Sequence, residues 1–345
     1  MIVSRDIQTV KSAVARRARI GWRRMSAQLS RVGRPVILMY HRIADEPFDP
    51  WGIAVSPDNF AEQVRWLAQG RTLLSLPQFA DLHRSGQIPD DAVAVTFDDG
   101  YACTAKIAAP LLDRFRVPAT IFIAAGMHGR VRLFWWDELA QIVMTYPGTT
   151  IRVLDRTFGL GERQRGDRAW PRDNRKRTAR QQGFYAVWAA LQPLPSEKIE
   201  EALAEMRGHH ASPAADETHR LMTPDEMRSI SSPNIEFGSH AMTHASLPSL
   251  TRHEKAREIR DSIGACEQLV GARPISFAYP FGDYDRESRA LVADAGFACA
   301  CSVEGRAVAP GDDIFALPRI KVGNWTGRRL GRELAQIGYA AAKGT

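Results

Sequence analysis

Val93-Ala94-Val95-Thr96-Phe97-Asp98-Asp99-Gly100-Tyr101 is the stretch on which the reading of this chain turns. Its continuous apolar run predicts a strand buried on both faces, as in parallel sheets covered by helices. The run stops abruptly at two adjacent carboxylates and a glycine. Two like charges at the mouth of a buried strand repel each other and lose hydration, which raises a carboxyl pKa unless a cation is near. A bound metal, ligated by one carboxylate while the other accepts a proton, accounts for the pair. An Asp-Asp-Gly turn with one Asp capping the next helix accounts for it equally well.

Working outward, Ile235-Glu236-Phe237-Gly238-Ser239-His240-Ala241-Met242-Thr243-His244 repeats the arrangement of a short strand opening into polar chemistry. Two histidines four apart fall on one side of a helical turn, within reach of one ion. With nine histidines in the chain, such a pair also arises by chance roughly one time in five, so its place just past a strand is what counts. One carboxylate and two neutral imidazoles leave a coordination position for water, the pattern of a catalytic zinc. The remaining histidines His83, His128, His209, His210, His219 and His253 lie in polar or helical contexts and read as solvated or structural.

From Pro35 onward, apolar runs alternate with helical patterns, which predicts βα units and a parallel sheet. The expected strands are Val36–Tyr40, Ala92–Phe97, Thr120–Ala124, Ile235–Phe237, Ile275–Tyr279 and Phe297–Cys301. Helices are expected over Asp58–Leu67, Tyr101–Phe115, Arg252–Val270 and Arg286–Ala295. An insertion at about 130–222 breaks the rhythm; its basic segment 149–182 reads as surface loops, followed by helices near Phe184–Leu191 and Glu197–Arg207. Residues 331–345 form a C-terminal tail to the body at 35–330.

The 345 residues carry a formal charge of +7, with arginines gathered in residues 1–34 and 152–180. Neither cluster has a nucleic-acid-binding pattern, so no nucleic-acid partner is expected. Apolar residues at three-and-four spacing from Ile7 to Leu29 predict a basic amphipathic helix over 1–34, suited either to an anionic membrane surface or to docking on its own domain. No apolar run approaches membrane-spanning length, and the first residues lack the apolar core of a secretory signal. Cys103, Cys266, Cys299 and Cys301 form no CxxC pair. Together these predict a cytoplasmic protein, in peripheral contact with the inner membrane through 1–34.

Thr96-Phe97-Asp98-Asp99-Gly100, then His240-x-x-x-His244, then Tyr279-Pro280-Phe281-Gly282 resemble the polysaccharide deacetylase family, carbohydrate esterase family 4. Leu38-Met39-Tyr40-His41-Arg42-Ile43 and Leu317-Pro318-Arg319-Ile320 are similar to segments of its bacterial exopolysaccharide-associated members. The resemblance covers about residues 35–325 apart from the insertion. It implies an α/β fold, a distorted (β/α) barrel with about seven strands, that hydrolyses N-acetyl groups on the amino sugars of a glycan or polysaccharide substrate. By position it makes Asp98 the catalytic base and Asp99, His240 and His244 the ligands of one divalent metal, zinc first, with cobalt or nickel also suited to the donor set. Tyr279, Pro280, Phe281 and Gly282 would form a groove wall and lend a backbone N–H to the oxyanion. Trp135 and Trp136 join them as substrate-binding candidates, with core packing the alternative for at least one ring.

Two positions depart from the family pattern. An arginine that often holds the base aspartate is replaced by Ala278, and the late Leu-x-His that usually supplies the general acid reads Leu317-Pro318-Arg319. Because the first and last strands of a closed ring are neighbours, His41 at the end of the first strand is the expected acid in its place. Two other functions fit the same residues: hydrolysis of another linear amide, formyl or ureide, and a non-catalytic glycan-binding barrel. An open cleft lined with aromatics such as Trp51, Trp135, Trp136, Phe281 or Tyr284 would mark a polymer enzyme.

Overall fold

The computed structural model describes residues 33–128, 133–171, 176–208 and 218–343. The basic stretch 1–34 therefore lies, but for its last two residues, outside the described residues, as do His209 and His210. Among the described residues no helix is long and apolar enough to cross a membrane.

Seven parallel strands form the barrel: β1 Val36–Tyr40, β2 Ala92–Phe97, β3 Ala119–Ile123, β4 Ile235–Ser239, β5 Ser276–Ala278, β6 Cys299–Cys301 and β7 Ile320–Lys321. Their order is β6-β5-β4-β3-β2-β1-β7, so each strand lies beside its sequence neighbour except the last, which pairs with the first. Leu38 is in register with Ile320, while Leu317 bridges to Cys301 of β6, so the segment leading into β7 touches both sides of the gap. The ring is thus a distorted (β/α) barrel. The expected strand Ile275–Tyr279 shrinks to Ser276–Ala278, because Ile275 projects outward at 44% exposure.

The run of apolar residues in β1 and β2 supplies both faces. Val36, Leu38, Tyr40, Val93, Val95 and Phe97 pack outward with Phe60, Val64 and Leu67 of α1 (Pro57–Gly70). Ile37 and Ala94 turn inward with Phe122, Ala278, Cys299, Cys301 and Leu317, a core of mainly small residues around one large ring. With a side-chain period of two, Met39 and His41 follow Ile37, and Thr96 and Asp98 follow Ala94, toward the carboxyl end of the barrel.

After β1 and α1 come α2 (Leu76–Arg84) and, beyond β2, α3 (Ala109–Phe115). The helix expected over Tyr101–Phe115 opens instead as a bridge from Tyr101 to Leu221 and a π-turn over Thr104–Ala108. Pro110, which has no N–H to donate, sits where the regular helix then begins.

The insertion departs from expectation most. It comprises α4 (Trp135–Thr145), an antiparallel hairpin of Thr150–Val153 against Arg156–Gly159, α5 (Ala179–Leu191) and α6 (Ser196–Gly208). Ile151, Val153 and Phe158 of the hairpin share a separate core with Leu139, Phe184 and Leu203. Segment 149–182 is therefore a packed layer and not surface loops alone. Arg180, fully buried, donates to the carbonyls of Val143, Tyr146, Gly148 and Gly161, satisfying the irregular backbone that encloses it. Helices α7 (Pro224–Ser229), α8 (Arg252–Val270), α9 (Arg286–Asp294) and α10 (Gly327–Lys343) complete the outer layer.

Candidate active site

Four side chains converge where the strands end. Past β2 the backbone takes a left-handed turn, with φ of 72° at Asp99 and 68° at Gly100, so the paired carboxylates face different neighbours. Gly100 is required there: a Cβ would lie 2.9 Å from the His128 ring. On β4 a Cβ at Gly238 would meet the Phe122 ring at 2.5 Å, so only glycine lets this strand close onto β3 and aim His240, two residues later, at the same mouth.

His240 and His244 do not lie on a helical turn as expected. The loop reverses through left-handed residues, Ala241 at φ 63° and His244 at φ 60°. Glu258 of α8 holds it there, accepting from the N–H groups of Met242 and Thr243 at 3.0 and 2.9 Å and from the Thr243 hydroxyl at 2.8 Å. Spacing alone could not reveal this support.

Asp99, His240 and His244 present one donor atom each within 4.8 Å of one another. Asp99 Oδ1 lies 3.2 Å from His244 Nε2 and 3.7 Å from His240 Nε2, close to the roughly 3.3 Å edge of a tetrahedron with ligands about 2.0–2.1 Å from zinc. Buried Asp99 Oδ1 has no hydrogen-bond partner within the protein, a vacancy that a cation fits. His240 Nδ1 lies 2.7 Å from the Ala278 carbonyl, which makes Nδ1 the protonated nitrogen and leaves the Nε2 lone pair facing the site. Burial pushes the His240 pKa down to about 4, so the imidazole is neutral, as a ligand must be. Burial opposes the charge of Asp99, but the imidazoles beside it, His244 first, hold its carboxyl well below the ordinary range. The residues present fit a divalent metal.

Asp98 is held by Arg319. The guanidinium donates from Nη1 to Oδ1 at 2.6 Å and from Nη2 to Oδ2 at 2.7 Å, with Nε on the Ser302 carbonyl and Nη1 also on the Thr96 hydroxyl. Arg319 is fully buried, its head over the Phe122 ring at 5.5 Å. Burial alone would raise the Asp98 pKa, yet Arg319 outweighs it and keeps the carboxylate ionised. The space left by Ala278 in the barrel interior is thus served by an arginine from the other side. His41 Nε2 lies 4.0 Å from Asp98 Oδ2, and burial lowers the His41 pKa against the pull of Asp99 and Asp98.

These groups open on a cavity of about 520 Å³. Trp136, Phe281 and Gly282 line it, and Trp136 and Phe281 pack on the His244 ring at 4.7 and 4.6 Å. Tyr279 and Pro280 do not line it. The Tyr279 hydroxyl donates to the Phe315 carbonyl and its N–H to Cys301, so it braces the wall from behind. Gly282 N–H closes the turn onto the Tyr279 carbonyl, proline has no N–H, and Phe281 between them takes a left-handed φ of 58°. Trp135 lines an adjoining groove, where its ring stacks on Trp188. Trp51, expected from the sequence as a cleft aromatic, and Trp188, which was not, also face the cavity. Behind Trp136 stands a buried network: its Nε1 donates to the Tyr101 hydroxyl, which donates to Asp137, itself paired with Arg42 next to His41.

A family model described as polysaccharide deacetylase matches residues 85–145 and 194–300, skipping the middle of the insertion. Poly-beta-1,6-N-acetyl-D-glucosamine N-deacetylase of Escherichia coli (strain K12) is 22% identical over 299 residues, covering 84% of this chain and 36% of that protein. The chain therefore spans about a third of the length of that relative. Among solved structures, IcaB from Ammonifex degensii shares 18% identity with a TM-score of 0.55, covering 89% of this chain and 97% of that one. The Streptococcus pyogenes deacetylase PplD, solved with acetate, shares 17% identity at TM-score 0.55, covering 87% and 98%.

Proposed function

The chain belongs to the polysaccharide deacetylase family, and from that premise we propose that it hydrolyses N-acetyl groups on the amino sugars of a polysaccharide, releasing acetate. The observation that carries this reading is the pairing, in one cavity, of a three-donor metal site with a separate ionised carboxylate, Asp98, that takes no part in it. The name of the relative suggests β-1,6-linked N-acetylglucosamine as the polymer.

A divalent cation held by Asp99, His240 and His244, zinc before cobalt or nickel, would supply Lewis acidity at the acetamide carbonyl and make water nucleophilic at neutral pH. Asp98, fixed by Arg319, accepts the proton of the attacking water. The Phe281 N–H donates to the oxygen that becomes negative as the carbonyl carbon turns tetrahedral. His41 passes a proton to the sugar nitrogen as the C–N bond breaks, so acetate and the amine leave. Trp136 and Phe281 hold His244 in place and shield the centre from bulk water.

Acetate release from β-1,6-linked N-acetylglucosamine oligomers tests the proposal, with Asp98→Asn as control. The native chain should release acetate. Asp98→Asn should release none while keeping its metal, because the amide retains the shape and cannot take the proton. Loss of metal at Asp98→Asn, with retention at Asp99→Asn, would exchange the two roles.

A further inference from the structure

The inserted helix α5 has two apolar faces. Phe184, Val187 and Leu191 are buried in the insertion core, as an amphipathic helix requires. Tyr185 and Trp188, at i and i+3, form a second face at the rim of that core, with Trp188 half-buried against it and Tyr185 out in solvent. Tyr185 is 41% exposed, and an aromatic ring left half in water gains little from packing.

Trp51 meets this face from the opposite side of the mouth. Its ring lies 4.5 Å from Trp188 and 6.0 Å from Tyr185, and Tyr185 stacks on Trp188 at 5.8 Å and 28°. The loop that carries Trp51 is rigid by construction. Asp49 accepts from the N–H groups of Ile53 and Ala54, each at 3.0 Å, and Lys321 of β7 donates to the Trp51 carbonyl at 2.9 Å. Trp51 and Trp188 line the catalytic cavity, and Trp51 also lines a trough of about 470 Å³ on its far side. The three rings therefore continue the cavity wall outward.

We propose that Trp51, Trp188 and Tyr185 form a stacking platform for pyranose units of the glycan next to the one whose acetamide enters the cavity. The occupant follows from that continuity. A sugar ring presents a face of axial C–H bonds that sits flat on an aromatic ring, and rings of fixed orientation bind it at low entropic cost. This inference rests on the deacetylase reading for its choice of ligand, and it assigns the recognition of chain length to the insertion.

Titration of the intact chain with β-1,6-linked glucose oligomers of two to six units tests the platform apart from the chemistry, since these share linkage and ring faces but carry no amide. Calorimetry should show affinity rising with length. Tyr185→Ala and Trp188→Ala should each remove most of the gain at five units, about tenfold for a central aromatic contact. Because Tyr185 is half exposed, its truncation spares the core and decides the matter should Trp188→Ala fail to fold. Affinity independent of length, or a Tyr185→Ala protein that matches the native chain at every length, would overturn the platform. Absence of acetate release from N-acetylated oligomers would instead overturn the deacetylase reading.

Discussion

Arg319 and Asp98 face each other in the barrel mouth as a two-pronged ion pair, 221 residues apart in sequence and both buried, with Asp98 at the cavity wall. The guanidinium is cut off from solvent and the carboxylate meets only the cavity, so each depends on the other. Lysine retains the charge but not the fork. Arg319→Lys should keep the metal and the fold while lowering kcat by about 10–100-fold, the scale of a misoriented catalytic group. Arg319→Ala should lose about 3–5 kcal/mol in urea denaturation, because it strands a buried carboxylate. Native turnover in Arg319→Lys would remove the pair from the mechanism.

Metal analysis should find about one equivalent of divalent ion per chain, since the described residues offer one such three-donor cluster. Chelation should abolish acetate release, and added zinc, cobalt or nickel should restore it. The double variant His240→Ala, His244→Ala should bind no stoichiometric metal. Full occupancy in that variant would place the ion elsewhere.

His41→Ala should lower kcat by about 10²–10⁴ with metal content unchanged, the range of general acid help. The ring stands beside Asp98 and faces the cavity, and its Nδ1 is buried without a partner in the protein. Near-native turnover would assign the proton delivery to another group.

How much of this could be read beforehand divides along chain distance. Asp98, Asp99 and His240 were legible because each follows closely on a strand end, and His244 because it stands four residues from His240, so local pattern and chemistry coincide. That the first and last strands are neighbours was inferred from ring closure and is seen in the Leu38–Ile320 register, although Ile320–Lys321 was not among the expected strands. A structural or charge-balancing role for Arg319 was legible, but not that its partner is Asp98, 221 residues away in sequence. The insertion hairpin was missed because its turn, Leu154-Asp155, lacks the usual Gly or Asn despite alternation in Ile151-Arg152-Val153. Tyr185 and Trp188 were not legible, because helix length and periodicity do not say which face meets Trp51, 134 residues earlier in the chain for Tyr185.

Stability should depend on pH through Glu226, which caps α7 and accepts both prongs of Arg220 at 2.6 and 2.7 Å. The Arg220 bond, set against some burial cost, lowers the Glu226 pKa to about 2. A depressed carboxyl pKa stabilises the fold above its unfolded value, about 4.3, and that contribution fades as pH falls toward about 2. Glu226→Gln should therefore be less stable than the native chain by ~1–2 kcal/mol near pH 7, a figure that allows for screening at this partly exposed site. Urea denaturation at pH 7, 4 and 3 should show the difference shrinking at each step. A gap that stays constant would exclude an electrostatic origin.

The closing of the ring by its last strand also orders events on the ribosome. At about 5–20 residues per second, Ile320 follows Val36 out of the synthetic machinery by roughly a quarter of a minute to a minute. In the closing part of that interval the nascent chain holds Asp98, Asp99, His240 and His244, but the edge of β1 is bare and Asp98 has no counter-ion. A product released between His244 and Leu317 would carry all three candidate metal-ligand side chains but lack the cation that orients the base.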